Sequence, residues 1–303
     1  MLVAQHGIFN TLEYPFVPVS WSIVPNSSFG STNINTLAYG NGLYAAAGNA
    51  GKLATAPEGI TWTQRTSSFG TSPIYSLSYF AGIYIAGGST GKLATSSNAV
   101  TWTQRTSSFG SSVILGLSYA QNLLVFVAVG GDGKLATSPD GTAWTQRTSS
   151  FGTSFIRGIA YKSGTLVAVG DDGKLATSTN GLTWTQRTSS FGLSRIYGVT
   201  ASSTKFIAFG AGGKIAYSFD GTTWVQVISS FGSSDIRAVS YALGNTGEVW
   251  AAAGADGKIA TSFDGLSWVQ RPSSFGTSQI NAIYMATQRS VAAGDSGKIA
   301  LSL

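Results

Sequence analysis

Apolar residues in this chain come in short bursts. Between residues 74 and 105 the sequence reads Ile74-Tyr-Ser-Leu-Ser-Tyr79, Ile83-Tyr-Ile-Ala86, Lys92-Leu-Ala-Thr-Ser96 and Thr101-Trp-Thr-Gln-Arg105. Each run is brief, rich in β-formers and bounded by turn residues, which predicts four strands. Between the second and third runs sits Gly-x-x-Gly, as in Gly170-Asp-Asp-Gly173, a spacing that suits a two-residue hairpin. Between the third and fourth sits Asp-Gly at 140–141, 220–221 and 264–265, or Asn-Gly at 180–181. Those dipeptides accept the positive φ angles of a type I′ turn, so a tight hairpin is expected there too.

The four-strand unit recurs along the chain. Ser-Ser-Phe-Gly occurs seven times, its glycine at 30, 70, 110, 152, 192, 232 and 276. Gly-Lys followed by Leu or Ile and then Ala also occurs seven times, the last at Gly297-Lys298. Trp62, Trp102, Trp144, Trp184, Trp224 and Trp268 follow at constant spacing, whereas Trp21 precedes the first Gly-Lys. Antiparallel units of about 40 residues predict a propeller, in which every sheet buries its faces on its neighbours. The alternative is an open solenoid, and the chain ends argue against it. The first copy begins with a fourth strand (residues 19–24) and the last stops after a third, Lys298-Ile-Ala-Leu-Ser302. A ring closed by the N-terminal strand completes the last blade and leaves no edge to template aggregation. The expected fold is therefore an all-β, seven-bladed propeller over residues 19–303, with residues 1–18 as an N-terminal arm.

Composition agrees with this and narrows the chemistry. Charged residues make up 10% of the 303, and there is no cysteine, so no disulfide staples the fold. A chain this long buries about 75% of its extended surface without such help. The net charge of +6 misleads, because seven of the nine lysines are one repeated position: 52, 92, 134, 174, 214, 258 and 298. Without them the balance is −1, so the basic character forms a ring and offers no nucleic-acid groove. The opening MLVAQHGIFNTLEYPFVPVS has neither a positive leader nor an apolar run, so no secretory signal is expected. The longest apolar stretch, Leu123 to Val129, is too short for membrane insertion.

The segments Ser138-Pro-Asp-Gly-Thr-Ala-Trp144, Ser218-Phe-Asp-Gly-Thr-Thr-Trp224 and Ser262-Phe-Asp-Gly-Leu-Ser-Trp268 resemble the Asp-box of bacterial neuraminidase repeats. They are one residue shorter than that pattern between Asp and Trp. The resemblance implies a structural turn on the face opposite the ligand site. Similar tandem blades look like those of photosystem assembly factors and of bacteriophage tail and virion proteins. Enzymes, lectins and scaffolds share this architecture, so the fold does not select among them.

The residue inventory points away from catalysis. The sole histidine, His6, lies outside the repeats, and nine of twelve acidic residues sit in repeated turns. No catalytic residue, metal site or cofactor is expected. A sialidase-like hydrolase would need an arginine triad and a tyrosine beside an acid, roles for which only Arg157, Arg195, Arg237 and Tyr197 present themselves. The repeated tryptophans read as packing and not as sugar platforms, since burying an indole contributes roughly 4–6 kcal/mol before entropy. The repeated phenylalanine reads as a plug between blades. The repeated lysines, with Arg65, Arg105, Arg147, Arg187 and Arg271, read as a solvated rim. Asp132, Asp172 and Asp256 are expected to pair with the lysines, and an anionic surface polysaccharide is the alternative partner.

Departures from the repeat locate the candidate site. They flank the isoleucine that opens each innermost strand: Asn35, Tyr75, Leu115, Arg157, Tyr197, Arg237 and Asn281 after it, with Arg195 and Asp235 before it in two blades. These residues should ring the channel mouth. Arg157, Arg195, Arg237, Asp235, Tyr75 and Tyr197 are the candidate ligand contacts, since arginine forks suit carboxylates and phosphates. The arm, apolar and aromatic at Phe9, Leu12, Tyr14 and Phe16, reads as a docking segment for other virion proteins. The leading expectation is a non-enzymatic structural or binding propeller in a bacteriophage virion or tail, assembled in the host cytoplasm. A glycan-binding lectin with repeated inter-blade sites and a sialidase-like hydrolase remain open alternatives.

Overall fold

The computed structural model describes residues 20–244, 247–286 and 289–302. Blade 1 comprises β1's successor strands β2 (Ile34–Gly40), β3 (Leu43–Gly48), β4 (Leu53–Ala56) and β5 (Thr63–Arg65), where β1 is Trp21–Ile23. The pattern repeats through β6–β9 (74–105), β10–β13 (114–147), β14–β17 (156–187), β18–β21 (196–227) and β22–β25 (236–271), which are blades 2 to 6. Blade 7 takes β26 (Ile280–Tyr284), β27 (Val291–Gly294) and β28 (Ile299–Ser302) from one end of the chain and β1 from the other. All seven sheets are four-stranded and antiparallel, so the chain is the seven-bladed propeller its repeats imply. At the seam Trp21 pairs with Ser302 and Ile23 with Ala300, and the Val24 N–H donates to the Ile299 carbonyl at 2.8 Å.

Small residues let the sheets stack. Ala45, Ala46 and Ala47 of β3 are fully buried between neighbouring blades, as are their counterparts in the other second strands. The seven phenylalanines of Ser-Ser-Phe-Gly are each 0–1% exposed. Phe69 shows why: it packs with Ala47 and Leu53 of blade 1 and with Ile74 and Tyr84 of blade 2. The first serine of the same motif ties blades together, Ser67 Oγ donating to the Gly51 carbonyl at 2.6 Å. Ser27 Oγ makes the same bond to Gly297 across the seam, at 2.5 Å. Gly51 has φ +63°, and a Cβ there would lie 2.0 Å from the Gly70 oxygen, so only glycine allows this approach.

Two turn expectations are corrected. The Gly-x-x-Gly link is a three-residue 3-10 turn (Asn49–Gly51 in blade 1), not a two-residue hairpin, with the Gly48 N–H bonded to the Lys52 carbonyl. The Asp-Gly link is not type I′, because Gly141 has positive φ but Asp140 does not. Six residues separate Ser138 from Thr145, and the Asp140 carboxylate accepts the N–H groups of Thr142 and Ala143. An Asx-type turn thus replaces the tight hairpin. The tryptophans just precede the outer strands. Trp62, Trp144 and Trp268 are buried, and their Nε1–H groups donate to the carbonyl three residues back.

The cationic rim is also corrected. Each repeated lysine donates to the carbonyl of its own blade's Phe, from Lys52 to Phe29 at 2.8 Å through Lys298 to Phe275 at 3.0 Å. None forms an ion pair with the turn aspartates among the described residues. Instead Ser154 links the two groups, accepting from Lys174 Nζ and donating to Asp172, each at 2.8 Å. The repeated arginines donate Nε to a threonine of the neighbouring strand, as Arg147 does to Thr137 at 2.9 Å. Arg147 stands opposite Leu135.

Candidate functional site at the axial mouth

Every innermost strand carries a bulge at its second residue. In blade 1 Ile34 pairs with Gly48 but Thr36 with Ala47, so Asn35 has no partner in the ladder. The same skip occurs at 75, 115, 157, 197, 237 and 281. A bulge bends the strand and re-aims the extra side chain. All seven of these residues line a single cavity of about 190 Å³.

Polar side chains lock this ring in place. Asn35 donates to the Ile74 carbonyl at 2.9 Å and Asn281 to the Ile34 carbonyl at 3.0 Å, each reaching the next blade. In blades 4 and 6 the bulged residue is an arginine, and in blade 5 it is Tyr197, two residues after Arg195. Arg157 grips Asp171 with Nε at 2.5 Å and Nη2 at 3.0 Å, and Arg195 Nε meets the same carboxylate at 2.7 Å. Burial pushes the Asp171 carboxyl up, but the two guanidiniums outweigh it and hold the group below the usual carboxylate range. Arg237 lies 3.9 Å from the centre of the Tyr197 ring, and both residues donate to Asp235, at 3.2 and 2.8 Å. Arg195 is the most accessible of the three arginines, its side chain 46% exposed. Arg237 Nε is buried without a hydrogen-bond partner.

The structure thus gathers Tyr75, Arg157, Tyr197 and Arg237 around one opening, with Arg195 and Asp235 attached through ion pairs and hydrogen bonds. The three arginines do not form a free triad, since Asp171 and Asp235 already engage them. Asp171 itself is absent from the sequence-based site. Its place in a Gly-x-x-Gly turn, one residue before the repeated aspartate position, was the only signal. His6, Phe9, Leu12, Tyr14 and Phe16 lie outside the described residues. Among the described residues no cluster of His, Cys, Asp or Glu is arranged to hold a metal ion, and no helix is long and apolar enough to cross a membrane.

The geometry defines a closed propeller with a charged axial mouth, and comparison with known proteins places it further. Residues 112–243 match the family model of the DUF6242 beta propeller domain. No curated protein is similar enough in sequence to match. Among solved structures, YCF48 bound to D1 peptide is 18% identical with a TM-score of 0.71, over 96% of each chain. YCF48 from Cyanidioschyzon merolae is 16% identical with a TM-score of 0.69, over 93% of this chain and 98% of that one. A catalytically inactive virginiamycin B lyase from Staphylococcus aureus with quinupristin is 12% identical with a TM-score of 0.81, over 93% and 99%. At these identities the likeness shows the fold alone.

Proposed function

We propose that this chain is a non-enzymatic binding propeller whose mouth takes up a carboxylate-bearing segment of a partner protein through blades 4 to 6. The observation that carries the reading is the ring of bulged residues. There the repeat departs from itself, and three guanidiniums face two carboxylates in one sector. An incoming carboxylate meets Arg195 first, with Arg237 beside it on Tyr197. The peptide bound to YCF48 supports a peptide as the ligand class. The test is calorimetric titration of peptides ending in free and amidated C-termini. The doubly substituted Arg195→Gln, Arg237→Gln protein should bind the free-acid peptides at least about tenfold more weakly. Equal binding by wild type and variant rejects the mouth as the site.

We further propose, from the resemblance of the tandem blades to those of bacteriophage proteins, that the chain is a virion or tail component held by residues 1–18, whose aromatic and apolar composition suits docking. Deletion of residues 1–18 should abolish incorporation into particles while the ring still folds, and unchanged incorporation rejects the anchor. A second reading, attachment to an anionic surface polysaccharide, rests on two equivalent clefts between blades. One, about 450 Å³, is lined by Lys52, Gln64 and Arg65; the other, about 520 Å³, by Lys134, Gln146 and Arg147. Trp62, Trp144 and Trp268 are buried and Trp102, Trp184 and Trp224 partly so, which favours these clefts over stacked tryptophans as the places for a glycan. Titration with a uronic-acid oligosaccharide distinguishes the readings, because clefts borne by the repeat predict several equal sites per chain. Turnover of a fluorogenic sialoside would reject the non-enzymatic assignment altogether.

A further inference from the structure

The inner strands run from the mouth to the opposite face, and a second, larger cavity lies at their far ends. Five residues after the opening isoleucine stands a tyrosine in five blades: Tyr39, Tyr79, Tyr119, Tyr161 and Tyr241. Blade 5 has Ala201 there. Where tyrosine is present it packs on its cross-strand partner, Tyr39 on Tyr44 at 4.5 Å and Tyr79 on Tyr84 at 4.7 Å between ring centres. Ala201 leaves its partner Phe206 without such a ring. Around this gap lies a cavity of about 600 Å³, walled by Phe80, Tyr119, Tyr161 and Tyr241.

Among the described residues Lys162 is the sole charged one lining that cavity, and no carboxylate lines it. From blade 4 its Nζ reaches toward blade 5, donating to the Phe219 carbonyl at 2.8 Å and lying 5.4 Å from the centre of the Phe206 ring. One bond to a carbonyl leaves an ammonium with donors to spare. The volume falls within the range of small-molecule sites, which combine apolar and aromatic walls with a few placed polar groups. Tyrosines supply rigid faces at little entropic cost.

We propose that this cavity binds a ring-bearing organic anion, its flat apolar body against the tyrosines and its carboxylate or sulfonate toward Lys162. The inference stands apart from the mouth and its peptide. The test is fluorescence titration with 8-anilinonaphthalene-1-sulfonate and with the neutral N-phenyl-1-naphthylamine, using the full chain. Wild type should bind both saturably at one site. Ala201→Tyr installs the residue that five other blades carry, so it should unfold at the wild-type temperature yet lose both dyes. Lys162→Met should weaken the anionic dye at least about tenfold and keep the neutral one. An Ala201→Tyr protein that binds like wild type places the dyes elsewhere and overturns the proposal. So does a Lys162→Met protein that binds the anion undiminished, or a wild type that binds neither dye.

Discussion

Replacing Lys174 with methionine separates a structural lysine from a decorative one. The change keeps the aliphatic stem and removes the ammonium that donates to the Phe151 carbonyl at 2.9 Å and to Ser154 Oγ at 2.8 Å. Hydrogen bonds from charged groups contribute about 1.5–3 kcal/mol, and a carbonyl left half-buried without a donor loses about 1–3 kcal/mol. Both bonds are partly solvated, so we take the lower part of these ranges and expect a loss of about 2 kcal/mol. For a chain of this length that lowers the thermal midpoint by about 3 °C. Lys214→Met should behave alike, because Lys214 makes the same contacts with Phe191 and Ser194, both at 2.9 Å. A solvated rim lysine would instead change stability by at most about 0.5 kcal/mol. Differential scanning calorimetry at moderate salt decides between the two. Midpoints of both variants within about 1 °C of wild type, the equivalent of about 0.5 kcal/mol, would refute the capping role.

Other consequences follow from the same contacts. Phe151→Ala empties a fully buried position between blades and should cost about 3–5 kcal/mol in urea denaturation. Hydrogen bonds from the Thr222 side chain and the Thr223 and Thr222 N–H groups hold the Asp220 carboxyl below the usual carboxylate range, and Asp171 is held below it by its arginines. Their folded-state values lie below the unfolded ones, so this stability is present above about pH 4 and is lost as pH falls further. The thermal midpoint should therefore drop on acidification below about pH 4, and a flat acid limb contradicts the assignment. Burial pushes the Tyr44 and Tyr84 phenols up to about 12. Their contribution is complete below about pH 10 and lost as pH rises toward the folded value, so denaturant midpoints should fall between pH 9 and pH 11.5.

What the sequence disclosed and what it hid divide along the range of the interactions. Strand runs, blade count and the seam at Trp21 and Ile299 are written in local pattern and period, and the structure places them as read. The mouth residues were also legible, because a repeat that copies its scaffold exposes the positions where it varies. Turn geometry was misjudged because Asp140 serves as a side-chain acceptor for the backbone ahead of it, so no tight hairpin is required. The lysines were misjudged because their targets, such as Phe151 for Lys174, are 23 residues away and meet them only when the blade folds. The cavity beside Ala201 is not legible in any one segment, since its walls come from several blades, and of the two blades without the tyrosine only blade 5 has a residue as small as alanine there, Met285 filling the place in blade 7.

The central claim is that β1 completes blade 7, and a disulfide measures it directly. Ile23 and Ala300 are register partners flanking the bonded position at Val24 and Ile299, so their Cα atoms should be about 4.5 Å apart, within disulfide range. The chain has no cysteine to interfere. In the Ile23→Cys, Ala300→Cys protein, oxidation should give a monomer that migrates faster on a non-reducing denaturing gel and slows on reduction. A pair placed on two different blades, Ile23→Cys with Ser262→Cys of blade 6, should not. Free thiols or only intermolecular dimers from the in-register pair would contradict closure of the ring.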